Sequence, residues 1–188
     1  MRLAVLSVGA CVLLVGCAAP PSSSESVPRT VSLDTAATSP SVTMELTSSA
    51  FLQEGLLPAR YTCDGEGVSP PLTFSNVPKG AQSLMLIVSD PDAPRGDFVH
   101  WVVYDIDPVP LNVAEGSIPS GGAQGIVSTG TMEYVPPCPL SGVHRYFFRL
   151  YALDISVRLE VSPTKADLLT AMEGHALAEA ELMGRYGR

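Results

Sequence analysis

Long hydrophobic runs, basic charge and clustered metal-binding side chains are all scarce in this chain of 188 residues, and each shortage removes a class of function. The one extended apolar run, LAVLSVGACVLLV at 3–15, is thirteen residues long, whereas a helix that spans a bilayer needs about 20. Lysine and arginine number 11 against 19 acidic side chains, for a formal charge of −8. Nucleic acid and anionic lipid surfaces are therefore not expected as partners through bulk electrostatics, and any anion must be caught by a local pocket. The four cysteines and three histidines show neither CxxC nor HxxxH spacing, so no metal ligand and no cofactor is assigned. No GxSxG elbow, metal quartet or paired-carboxylate arrangement is visible, so no catalytic residue is assigned either. No internal repeat is present.

What the chain does contain begins with a segment of signal-peptide shape. Residues 1–16 place a single basic side chain, Arg2, ahead of the apolar run. Leu14-Val15-Gly16-Cys17 resembles the bacterial lipobox, in which the cysteine is lipidated and becomes the new N-terminus. An ordinary cleavage site beside an unrelated cysteine is the bland alternative. Residues 17–41 follow as a Ser/Pro/Thr-rich stretch with almost nothing to bury, which reads as a disordered tether with a reach of about 25–30 Å. The expectation is an exported lipoprotein held at the periplasmic or extracellular side of a bacterial membrane through its lipid anchor. Residues 42–188 form one domain by length.

Removing Arg2 with the signal leaves 10 basic against 19 acidic side chains, or −9. Cys11 departs with the signal and Cys17 takes lipid, so Cys63 and Cys138 remain. An exported pair reads as a disulfide, with two unrelated free thiols as the alternative.

Within the domain, 44–51, 83–89, 98–106 and 144–153 carry the β-branched, aromatic and apolar density of strands. The gap from Pro108 to Pro139 holds six prolines and five glycines, and long loops of this kind tend to carry function. Ser162-Pro163 reads as the start of a helix over KADLLTAM, and HALAEAELMGRY reads as a second helix or a bent extension after Gly174. Strand parity places Phe98, His100, Val102 and Tyr104 on one face, opposite Val99, Trp101 and Val103. It also places His144 and Tyr146 together, opposite Arg145. A buried histidine taken singly is more often a satisfied core residue than a ligand-binding group. Two of them beside Asp90, Asp92, Tyr146 and a long Pro/Gly loop point to a pocket.

These residues fall in motifs that resemble a known family. DPDAP at 90–94, HW at 100–101, CPLSGVHRYFFRLYALD at 138–154 and YTCDGEGVSPPLTFSNVP at 61–78 look like the phosphatidylethanolamine-binding protein family in its bacterial, Raf-kinase-inhibitor-like branch. GHALAEAELMGRYGR at 174–188 resembles that branch's C-terminal helix. The resemblance implies a mainly β fold, an antiparallel β-sandwich with short peripheral and C-terminal helices. It also implies an anion pocket built from Asp90, Ala93, Pro94, His100, His144 and Tyr146, with Cys138 and Pro139 at its rim. Imidazole and phenol groups suit such a pocket because they donate hydrogen bonds without burying a permanent charge. Asp90 would repel an anion directly, so its expected role is to fix a histidine, while Asp92 is the expected partner of the outward-facing Arg145.

Three departures from the family concern the rim. Leu140 replaces a proline, Phe74 stands where tryptophan is common, and STGTMEYV at 128–135 lacks the usual glycine beside Tyr134. Two functions stay open at this point, with acid–base or hydrolytic catalysis by His, Asp and Tyr as a third behind them. One is a membrane-anchored module that captures a small anionic or phosphorylated ligand, including a phospholipid head group. The other is a protein-interaction inhibitor of a kinase-like or protease-like target. Bacterial members of the family suggest a homodimer.

Overall fold

The computed structural model describes residues 43–159 and 162–188. The signal segment 1–16, Cys17 and the tether 17–41 lie outside them. In chain order the elements are β1 (Glu45–Thr47), β2 (Gly55–Leu56), a 3₁₀ turn (Ala59–Tyr61), β3 (Leu72–Ser75), β4 (Ser83–Asp90), β5 (Phe98–Ile106), β6 (Leu111–Val113), β7 (Ala123–Gln124), β8 (Val143–Leu153), α1 (Lys165–Ala171) and β9 (Ala176–Gly187). The strands form a three-stranded sheet, β1-β3-β6, and a six-stranded sheet, β2-β9-β8-β4-β5-β7. All pairings are antiparallel except the short edge pair β2–β9, so the larger sheet is mixed.

The two sheets enclose the main core. Leu46, Leu72, Phe74 and Val113 of the small sheet meet Leu84, Leu86, Val88, Trp101, Val103, Phe148 and Leu150 of the large one. The opposite face of the large sheet is covered as well, where Met85, Ile87, Val102, Tyr151 and Leu153 pack with Val127, Val157 and Leu168. β4 is therefore buried at every position, which is why SLMLIVS reads as continuous apolar sequence instead of alternating.

Two helix expectations fail. The C-terminal segment is not a helix but β9, paired residue for residue with β8 from Val143↔Gly187 to Ala152↔Ala178. Its Ala, Leu and Glu favour helix, yet alternation of buried Ala180 and Leu182 with exposed Glu179 and Glu181 is a period of two. The eleven-residue β8 presents a full edge of hydrogen-bonding groups, and satisfying it outweighs local propensity. The remaining helix, α1, is capped by Thr164 and not by Ser162: Thr164 and Asp167 form a reciprocal capping box. Pro163 instead gives its carbonyl to the Ile126 N–H at 2.7 Å.

Candidate functional site

β4, β5 and β8 converge at the end where β4 runs into the DPDAP turn. Asp90 is the last residue of β4, His100 lies on β5, and His144 and Tyr146 lie on β8. All four are buried. With Ala93, Pro94, Phe98, Val135, Pro136, Cys138, Pro139 and Leu140 they line one cavity of about 230 Å³. Every residue assigned to the pocket from the sequence thus borders the same space. Phe98, Val135 and Pro136 were not assigned; the only signal for the last two is their place beside Cys138 in the proline-rich VPPCP run.

His100 reaches this space because of a β-bulge. Val88 pairs with Trp101 and the adjacent Ser89 pairs with Val99, so His100 is the extra residue on β5. The bulge overturns strict parity. His100 packs edge-on against Tyr146 of the main core, with ring centroids 5.3 Å apart, while Val102 packs on the other face with Met85 and Ile87.

The loop before β8 completes the placement. The Val135 N–H donates to the His100 carbonyl at 2.8 Å, and His100 Nδ1 donates to the Val135 carbonyl at 2.7 Å. A carbonyl only accepts, so the hydrogen sits on Nδ1, and Nε2 of the neutral ring is a bare acceptor. Burial pushes the His100 pKa down, against the opposing pull of the Val135 carbonyl and of Asp90 and Asp97, and so favours that neutral form.

Asp90 is fully employed. Its Oδ1 accepts the Asp92 N–H at 2.8 Å, which closes the turn, and its Oδ2 accepts from His144 Nδ1 at 2.7 Å. The carboxylate therefore holds the His144 ring in place, and each of its oxygens already accepts one hydrogen bond. Tyr146 remains a phenol, because burial and the nearby Asp90 push its pKa up. Its Oη and His100 Nε2 are the two buried side-chain polar atoms without a hydrogen-bond partner among the described residues. Leaving such a group unpaired costs about 1–3 kcal/mol, and the two residues that carry them line the same cavity.

Outside the pocket, Asp92 pairs with Arg145 as anticipated. The guanidinium reaches both carboxylate oxygens at 2.9 and 2.7 Å, and the Arg145 N–H adds a third bond at 3.0 Å. These bonds hold the Asp92 pKa down to about 2.

The rim is tied by the Cys63–Cys138 disulfide. Cys63 N–H also donates to the Pro137 carbonyl at 3.0 Å, so the turn at 61–67 and the proline-rich loop are joined at two points. Leu140 projects from the rim and is 87% exposed. Among the described residues no helix is long and apolar enough to cross a membrane, and no cluster of His, Cys, Asp or Glu has the arrangement of a metal site.

Comparison with known proteins agrees with this fold. The sequence model for phosphatidylethanolamine-binding protein matches residues 47–187. A UPF0098 protein of Methanothermobacter thermautotrophicus is 51% identical over 150 residues, covering 77% of this chain and 99% of the relative. A UPF0098 protein of Chlamydia trachomatis is 49% identical over 148 residues, covering 76% of this chain and 98% of the relative. Among solved structures, a phosphatidylethanolamine-binding protein homologue from Chlamydia trachomatis superposes with a TM-score of 0.75 at 48% identity, over 78% of this chain and 98% of that one. E. coli YbcL, described as a member of the mammalian PEBP family, superposes with a TM-score of 0.71 at 26% identity, over 78% and 99% of the two chains.

Proposed function

The chain belongs to the phosphatidylethanolamine-binding protein family, and on that premise we propose that it is a binding protein that captures a small phosphorylated or otherwise anionic ligand, free or as a phospholipid head group. The observation that carries this reading is the pair of buried, unpartnered polar atoms, His100 Nε2 and Tyr146 Oη, on the wall of one cavity. The apolar lining of Phe98, Val135 and the prolines lowers the local dielectric, which strengthens each hydrogen bond a ligand makes there. The proposal is of a binder and not a catalyst. Cys138 is locked in the disulfide, and no serine or threonine stands with the Asp90–His144 pair along the lining.

Calorimetry with methyl phosphate on the wild type and on Tyr146→Phe tests the pocket. Removing one hydroxyl and little volume should weaken binding by about 1–3 kcal/mol, or roughly fivefold to 150-fold, with the fold unchanged. No saturable binding to the wild type would return the reading to a protein-interaction inhibitor, for which the exposed Leu140 beside the mouth is the natural contact.

The proposal extends to placement: lipidation at Cys17 would hold the domain at a membrane on the tether 18–41. Cys17→Ser should leave an unprocessed protein without acyl mass. An acyl-free wild type in the soluble fraction would refute the anchor.

A further inference from the structure

We propose that this pocket takes its ligand in a hydrogen-bearing form: a phosphate monoester that retains one P–OH, in preference to an oxyanion with none. The inference rests on the pocket reading above and concerns which protonation state the pocket accepts.

The hydrogen-bond inventory of the wall drives it. His100 Nδ1 spends the ring's hydrogen on the Val135 carbonyl, so Nε2 offers a lone pair. His144 Nδ1 likewise donates to the Asp90 carboxylate. Tyr146 Oη supplies a donor. A ligand oxygen without hydrogen suits Tyr146 but sets lone pair against lone pair at His100. One P–OH removes the conflict, because it donates to Nε2 while an ionised oxygen of the same phosphate accepts from Oη.

No permanent cation redresses the balance inside. The lining holds the Asp90 carboxylate and neither lysine nor arginine, and Arg95 borders an adjoining depression that shares Ala93, Pro94, Phe98 and Leu140. A doubly ionised phosphate would therefore enter a wall that holds a carboxylate and neither lysine nor arginine, whereas a singly ionised one brings less charge to be desolvated.

Charged and titratable groups face His100 from three sides: Asp90 on β4, Asp97 in the turn ahead of β5, and His144 and Tyr146 on β8. Asp97 is itself paired with Lys165. The two carboxylates favour an imidazolium at His100, but its burial is the larger influence and disfavours one. A phosphate monoester loses its second proton near pH 6, so the required form predominates in mildly acidic solution and falls to about a tenth at pH 7.

Methyl phosphate and methyl sulfate separate the possibilities, because near pH 5 they share shape and a single negative charge and differ by one hydrogen. Calorimetry on the full-length protein should show saturable methyl phosphate binding, with methyl sulfate about 100-fold weaker or undetectable. Above the ester's second pKa the apparent methyl phosphate affinity should fall about tenfold per pH unit, as the bearing form is depleted. Equal affinities for the two probes would overturn the inference and leave the pocket reading standing. Methyl sulfate binding that strengthens on acidification with proton uptake would also overturn it, by making an imidazolium of the wall the donor. Binding of neither probe would overturn both readings. Short-chain dihexanoyl phosphatidic acid, a lipid monoester, gives the source: tighter binding than methyl phosphate assigns the ligand to lipid, and equal or weaker binding assigns it to a free ester.

Discussion

Asp90 and Asp92 stand two positions apart in one turn and serve opposite regions of the same end of the molecule. Asp90 points inward and is consumed by a backbone N–H and by His144, whereas Asp92 points outward and chelates Arg145. Their partners are neighbours on β8, separated by the strand's own alternation. The inner carboxylate meets a group that can be neutral; the outer one meets a permanent cation whose side chain is 51% exposed. The difference follows from desolvation. A guanidinium brought into the pocket would cost several kcal/mol, while an imidazole can enter uncharged.

The strongest way to break this contrast is to release the rim that separates inside from outside. Reducing the Cys63–Cys138 bond, or replacing both cysteines by alanine, should cost on the order of 4 kcal/mol by chain-entropy arguments for a closed loop of 75 residues. Denaturant melts with and without reductant check it, and two titratable thiols in unreduced, denatured mature protein would exclude the bond in the exported form.

A sharper test sets the two aspartates against each other. Asp90→Ala strands a buried backbone N–H and a buried imidazole and should cost about 2 kcal/mol along with ligand binding. Asp92→Ala, at a partly exposed pair, should cost less than about 1 kcal/mol and leave ligand affinity within a few-fold. Equal losses measured by urea unfolding would show that the two regions are not energetically distinct.

The smallest effect should appear in the pH dependence of stability. His100 has a depressed pKa, so the unfolded chain binds a proton more readily; its contribution is present above about pH 6.5 and is lost as pH falls below that value. Asp92, depressed to about 2, contributes above its unfolded value near 4 and loses that contribution between there and about pH 2. Stability should therefore decline in two separated stages, and Asp92→Asn should reduce only the lower one, to which Asp64, Glu115 and Asp167 also contribute.

Much of the strand framework was legible because β4, β5 and β8 are long apolar stretches whose placement depends on burial alone. The pocket list was legible through the family's motifs, since types and order of residues survive in one dimension. β9 was not, because its Ala, Leu and Glu are good helix formers and only an unpaired β8 edge makes them a strand. Thr164 was missed as the cap for a related reason: Ser162 and Thr164 both have hydroxyls, and the bond from Pro163 to Ile126 decides between them.

By itself, then, the sequence determined a mainly β domain and the residue types that border its pocket, because hydrophobic density and side-chain chemistry are properties of the residues. The tertiary structure alone decided how those residues act. A one-residue bulge against β4 carries His100 to the side of Tyr146, and a loop carbonyl 35 positions away takes its Nδ1 hydrogen. Those two long-range contacts turn a histidine expected to donate into one that accepts, and no local pattern in the chain encodes a bond that exists only when two distant backbones meet.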